Sequence, residues 1–285
     1  MQLENFPQFG AVPPAEMAKM AEQTAVGKTK KHPRITLMLA FLAGLFISIA
    51  GMFYTTVSAG SGSMPYGMAK LVGGISFSMG LMLVILCGAE LFTSNTLLLM
   101  GRATGRISLG AIAKNWTMVY FGNMFGSLVF VALMIGSGQY LSGHGAIGQS
   151  ALYIANAKLG HTFGQAIILG ILCNLLVCLT YWLSLSARTA AGKMLACILP
   201  VAAFIAAGFE HSIANMYLLP MGLIIKHIAT PEFWAMIGYS PSDFANINLH
   251  NVLMMNLIPV TIGNIIGGGV MVGLSNWFVF LRKQG

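Results

Sequence analysis

Two carboxylates and one imidazole stand where this sequence carries almost no other charge. Glu90 and Glu210 are two of seven acidic residues in a chain of 285. Each interrupts a long apolar run: Glu90 lies between residues 71–89 and 91–100, Glu210 between 194–209 and 212–225. A charged group at the centre of a bilayer costs about 2.5 kcal/mol or more on insertion scales, so such a residue marks an ion path, a proton relay or a buried partner. The preferred reading is structural: each carboxylate accepts hydrogen bonds from backbone N–H groups freed where a helix breaks, and with Asn95 and Asn215 it holds the break open. Two like charges at matched positions would make a poor path for an anion.

His211 follows Glu210 and has no acidic or basic counterpart beside Glu90, where Leu91 stands. Burial keeps an imidazole neutral and an approaching anion favours its charged form, which makes His211 a candidate proton donor to a permeating anion. Thr93 offers a hydroxyl and Asn174 an amide, although both residue types also serve as ordinary hydrogen-bonding groups between membrane helices. Lys28 and Lys158 are candidates for drawing anions into a vestibule, the bland alternative being a solvated surface lysine. Phe77, Leu81, Leu91, Val177 and Phe204 read, one by one, as bundle packing. Cys87, Cys173, Cys178 and Cys197 fall in apolar segments without metal-type spacing and read as small core residues; neither disulfide, metal nor cofactor is expected.

The elements that must position these groups follow from composition. Hydrophobic residues make up 56% of the chain and charged ones 8%, against roughly a quarter charged in soluble domains. An all-α polytopic membrane protein is the consequence, and the net charge of +8 has no broad solvated face on which to bind nucleic acid. Runs near the 20 residues a span requires occur at 35–57, 71–100 (broken at Glu90), 115–135, 163–185, 194–225 (broken at Glu210) and 252–281. Six spans are therefore expected. Twelve lysines and arginines, Lys283 among them, fall on the side of the N-terminus and three, Lys70, Lys158 and Lys226, on the other, which places both termini in the cytoplasm. Residues 1–34 form a cytoplasmic segment, and 35–285 a single transmembrane unit. Within the first, Pro13-Pro14-Ala15-Glu16 opens a helix, and Met17, Met20, Ala21 and Thr24 give it an amphipathic face suited to a membrane surface.

The two broken spans are copies of one pattern. Gly88-Ala89-Glu90 to Asn95 aligns with Gly208-Phe209-Glu210 to Asn215 at an offset of 120 residues, and Asn115, Gly122-Asn123 and Gly126 align with Asn256, Gly263-Asn264 and Gly267 at 141. Gly44 and Ser48 give a weaker echo in Gly170 and Asn174. Two halves of three spans each, about 35–140 and 160–281, must enter the membrane from opposite sides. Interrupted helices at corresponding positions of inverted halves point to a permeation site near the midplane.

The stretches Met64-Pro65-Tyr66-Gly67-Met68-Ala69-Lys70-Leu71-Val72-Gly73-Gly74, Gly208-Phe209-Glu210-His211-Ser212-Ile213-Ala214-Asn215-Met216 and Pro259 to Gly269 resemble the formate/nitrite transporter family, in its formate-channel branch. The resemblance implies an aquaporin-like fold, a homopentamer in the bacterial inner membrane with one pore per subunit, and a channel for formate that is bidirectional, pH-dependent and proton-coupled through a central histidine. It also implies roles for residues: His211 and Thr93 as the central polar pair, Asn174 beside them, Lys28 as a cytoplasmic lysine linked to the pore, and Phe77, Leu81, Leu91, Val177 and Phe204 as two apolar constrictions. The N-terminal amphipathic segment matches the part implicated in pH gating. Nitrite or hydrosulfide is the nearest alternative substrate. An aquaporin would carry Asn-Pro-Ala where Asn95 and Asn215 are followed by Thr96 and Met216. An intramembrane enzyme such as a serine protease, built on Gly60-Ser61-Gly62 and His211, is the distant alternative, and no enzyme is expected.

Overall fold

A computed structural model describes residues 10–282, which are helical and contain no strand. Residues 1–9 of the expected cytoplasmic segment and Lys283 lie outside that range. The helices are α1 (Pro14–Lys30), α2 (Pro33–Ser58), α3 (Tyr66–Leu86), α4 (Phe92–Asn95), α5 (Leu98–Ala103), α6 (Leu109–Gly136), α7 (Ala146–Lys158), α8 (Phe163–Ser186), α9 (Ala190–Ala206), α10 (Ser212–Ile228), α11 (Pro231–Ile237) and a C-terminal helix, Asn251–Leu281, that contains wider i→i+5 turns. Five of them, α2, α3, α6, α8 and the C-terminal helix, are long and apolar enough to cross a membrane; α9 is apolar but only 17 residues long.

Local chemistry sets several helix starts. Ser108 accepts a hydrogen bond from the Ala111 N–H at the head of α6, Thr189 does the same for Gly192 in α9, and Thr162 and Gln165 form a reciprocal capping box on α8. Helix α7 has no counterpart in the sequence-based expectation. Its 13 residues, AIGQSALYIANAK, are too few and too polar to register as a span.

Packing follows a pseudo-twofold plan. Helix α2 lies against α6 and α3, as α8 lies against the C-terminal helix and α9; α3 meets α9 across the divide; α1 packs on α5 and α8, as α7 packs on α10 and α2. Close approach needs small residues at the crossings. A Cβ added at Gly126 would overlap the carbonyl of Phe41, and one at Gly267 that of Ile171. These contacts correct the register expected between the first and fourth spans. They pair Phe41 with Ile171, so Asn174 occupies the place of Gly44, one helical turn from the Gly44–Gly170 match that shared residue type suggested.

The amphipathic face of α1 also differs from expectation. Met17, Ala18, Ala21, Glu22, Ala25 and Val26 are its buried residues, whereas Met20 and Thr24 are exposed. The stripe is turned toward α5, α8 and the end of the C-terminal helix, because protein packing selects the small Ala-rich side. Cys87 departs from the core role expected of it as well: it lies exposed at the turn after α3, while the other three cysteines are buried.

Candidate functional site

Each broken element is built the same way. After α3 and after α9 the chain reverses at a glycine with left-handed backbone, Gly88 (φ 68°) and Gly208 (φ 72°), a conformation that a side chain disfavours. Ala89 N–H then donates to Val84 O, and Phe209 N–H to Phe204 O. The next amide finds a neighbouring helix: Glu90 N–H donates to Leu39 O of α2 at 3.2 Å and Glu210 N–H to Leu169 O of α8 at 3.3 Å.

The remaining exposed backbone groups are taken by two asparagines. Asn123 Oδ1 accepts from Phe92 N–H (2.9 Å), while Asn123 Nδ2 donates to Ala40 O (2.7 Å) and Glu90 O (2.9 Å). Asn264 repeats this with Ser212 N–H (2.9 Å), Gly170 O (2.8 Å) and Glu210 O (3.0 Å). Each amide thereby ties a helix break to the two helices around it, satisfying groups that cannot face lipid. This corrects the role read for the carboxylates, which bind no backbone N–H. Backbone donors went to helix carbonyls and to the asparagines, leaving the carboxylates for side-chain cations and amides.

Glu90 Oε1 accepts from Lys31 Nζ at 2.6 Å and Oε2 from Asn95 Nδ2 at 2.8 Å. Lys28 Nζ stands 3.3 Å from Glu90 Oε2 and donates to Asn95 Oδ1. Burial pulls the Lys28 ammonium below the usual lysine range, with the Glu90 charge working against that fall. Glu210 Oε1 accepts from Lys158 Nζ at 3.0 Å; its Oε2 accepts from Asn215 Nδ2 (2.6 Å) and Asn256 Nδ2 (3.1 Å). Lys28 and Lys158, expected at vestibules, are therefore mostly buried partners of the two glutamates, with 14% and 15% of their side chains exposed. On the α7 side a cavity of about 840 Å³ reaches this pair, lined also by Lys70, His161 and Phe209.

Between the breaks lies the polar pair. His211 Nε2 is 3.0 Å from Thr93 Oγ1, and His211 Nδ1 accepts the N–H of Ala214 at 3.0 Å, capping α10. An acceptor at Nδ1 puts the single proton of the neutral ring on Nε2, directed at Thr93. The Thr93 oxygen then accepts, and its own proton is free to turn toward an anion. Asn174 is committed to backbone: its Nδ2 lies within donating range of Thr93 O (3.1 Å), Thr96 Oγ1 (3.2 Å) and Asn264 O (2.6 Å). It positions Thr93 and the C-terminal helix.

The five apolar residues belong to one buried cluster, and one of them, Phe204, touches the pair directly. Phe204 stacks on the His211 ring (centroids 6.0 Å, planes at 18°), and Phe77 meets Phe204 edge-on at 6.0 Å. Leu81, Leu91 and Val177 belong to the same cluster, with Leu91 heading α4 as His211 heads α10. The sequence reading had Asn123 and Asn264 only as repeat echoes, and it passed over His161 and the pairing of Lys31. No metal-holding group of three or more His, Cys, Asp or Glu occurs among the described residues.

Known proteins are similar to this chain in sequence and fold. A family model described as formate/nitrite transporter matches residues 15–278. A formate channel FocA of Escherichia coli (strain K12) is 53% identical over 276 residues, covering 97% of each chain, and a formate channel FocA of Haemophilus influenzae is 44% identical over 93% of each. A solved structure described as a pentameric formate channel with formate bound superposes with a TM-score of 0.84 at 48% identity, covering 88% of this chain and 98% of that one. On this evidence the chain belongs to the formate/nitrite transporter family.

Proposed function

We propose that this protein is a formate channel in which His211 and Thr93 form the central polar step of an otherwise apolar pore. The supporting relatives are formate channels, one of them pentameric, and the reading is that this chain assembles as a homopentamer with one pore per subunit. Each subunit crosses the bilayer six times, α3 with α4–α5 and α9 with α10 making the broken spans. Residues 35–285 are the channel unit and 1–34 the cytoplasmic segment, with both termini cytoplasmic, a placement the lysine and arginine asymmetry supports, in a bacterial inner membrane, as the family resemblance implies. Flux is bidirectional and pH-dependent, with Phe77, Leu81, Leu91, Val177 and Phe204 as the constrictions.

The observation that carries the mechanism is the Nε2–H of His211 facing Thr93 in apolar surroundings. A small carboxylate entering this slit loses hydration, and the Nε2–H and the free Thr93 proton are the two donors that can replace it. Neutral imidazole is too weak an acid to give up its last proton. Transfer to formate therefore requires that the ring first take a second proton, from vestibular water, at Nδ1, which displaces the Ala214 hydrogen bond and places positive charge at the head of α10, where the helix dipole opposes it; giving the Nε2 proton to formate then returns the ring to neutral. The cap holds the ring neutral at rest and makes proton transfer conditional on an anion being present.

His211→Asn separates the two roles, because asparagine caps a helix but relays no proton. In proteoliposomes carrying the full chain, His211→Asn is expected to keep formate flux while losing the wild-type dependence of flux on a proton gradient. Proton coupling that survives in His211→Asn defeats the donor role. Absence of formate flux in the wild type defeats the channel assignment.

A further inference from the structure

The pseudo-symmetry of α2 and α8 continues into the residues that precede them. Leu39 and Leu169 accept the two glutamate amides, and the same separation of 130 residues relates His32 to Thr162, which cap α2 and α8, Lys28 to Lys158, and Lys31 to His161. Both members of the lysine pair reach the glutamate of their own break. So do the other two: Lys31 Nζ is 2.6 Å from Glu90 Oε1, and His161 Nε2 is 4.0 Å from Glu210 Oε1. The second cation of the α1-side break is permanent, and its counterpart on the α7 side is an imidazole. Its side chain is 33% exposed and lines the cavity of about 840 Å³ together with Lys158 and Glu210.

We propose that His161 is an anion-attracting residue of the α7-side vestibule, the counterpart of Lys31, adding a second positive charge beside Glu210 only when its ring is protonated. This rests on the reading of the chain as a channel for a small carboxylate. The charged and phenolic groups that share the cavity wall with it come from several elements. Lys158 and Glu210 cancel one another at 3.0 Å. From α3, Lys70 stands 5.4 Å over the Tyr66 ring as a fixed cation. From α7, the Tyr153 phenol is pushed up to about 12 by burial and by the Tyr239 hydroxyl, and stays neutral. From α2, Tyr54 contributes an aromatic wall. Imidazole is the side chain whose charge changes between about pH 5 and 8, so acid on this face adds a further positive charge to a wall that already carries Lys70 and the Lys158–Glu210 pair. The α1-side break sets two lysines, Lys28 and Lys31, against Glu90.

The test is formate entry from the α7 face of oriented proteoliposomes at about pH 7.5 and about pH 5.5, bracketing the imidazole range. Wild type, His161→Gln and His161→Lys are compared at each pH, so that the changing proportion of formic acid cancels. His161→Gln is expected to match wild type at the higher pH and run about threefold slower at the lower, and His161→Lys about threefold faster at the higher pH and equal at the lower, as a unit charge in a hydrated vestibule dictates. Both differences must shrink as salt is raised, which a packing defect would not do. Variant-to-wild-type ratios that are the same at both pH values overturn the proposal, as does a His161→Gln defect insensitive to salt. Nitrite and hydrosulfide are run in parallel. Flux of one of these without formate flux defeats the formate assignment alone, and the His161 ratios are then read on the anion that crosses.

Discussion

The two helix breaks share their backbone chemistry, and one lysine and one asparagine on each glutamate, and differ in two side chains beside it. Both have a left-handed glycine, a glutamate amide donated to the adjacent helix, and an asparagine that clamps three backbone groups. The α1-side break then places Leu91 at the head of its short helix and two lysines on its glutamate. The α7-side break places His211 there, and a lysine with a histidine on the glutamate. Satisfying the backbone in a membrane admits few solutions, so duplication preserved one of them. The positions free of that demand are the ones where the halves diverged, and the divergence puts His161 and His211 beside the second break.

The largest way to break this parallel is at the clamps. Asn123→Leu and Asn264→Leu each strand one N–H and two carbonyls, at about 1–3 kcal/mol per unsatisfied group. Both variants are expected to lose at least about 3 kcal/mol, read as a collapse of thermal stability in detergent and of folded yield; tolerance of one alone would mean the two breaks are not held alike. Next come the glutamates. Glu90→Gln leaves Lys28 buried without a carboxylate, a loss of the order of 3 kcal/mol for a broken buried pair. Glu210→Gln strands one lysine rather than two and is expected to cost less in the same melting assay, an order that Lys28→Met in the Glu90→Gln background should erase. The smallest effect is at the register position where the halves differ. Gly44→Ala pushes a methyl into the Asn123 carbonyl, at about 1–3 kcal/mol for overpacking. Asn174→Gly, which copies the first half into the second, removes hydrogen bonds worth about 1 kcal/mol each and is expected to shift the melting transition by no more than Gly44→Ala does.

The sequence made the breaks legible because charge is scarce: a glutamate inside an apolar run has few explanations. The neighbouring His211 was visible for the same reason. The carboxylates' partners were not, since Lys31 and Glu90 are 59 residues apart and nothing local links them. The register of α2 against α8 was missed because it is set by the carbonyls of Leu39, Ala40, Leu169 and Gly170, and a carbonyl leaves no mark in the side-chain sequence. Glycines recur so often in this chain that Gly44 and Gly170 matched one turn out of place. Helix α7 escaped because it does not span, and with it went the link from Lys158 and His161 to their counterparts before α2. The buried side of α1 was misplaced for a related reason: its alanines suit contact with protein, whereas the periodicity had been read for contact with lipid.

The asparagine clamps also impose an order of assembly. The turn at Gly88 is synthesised before Asn123, and the turn at Gly208 well before Asn264, so each break leaves the ribosome with its amides and carbonyls still unpaired. Neither can settle into hydrocarbon until the following helix arrives. The first half can close when α6 is made, whereas the second must wait for the C-terminal helix, almost the end of translation. Until then the Ser212 amide and the Gly170 and Glu210 carbonyls need water or another protein group as partner, because hydrocarbon supplies none.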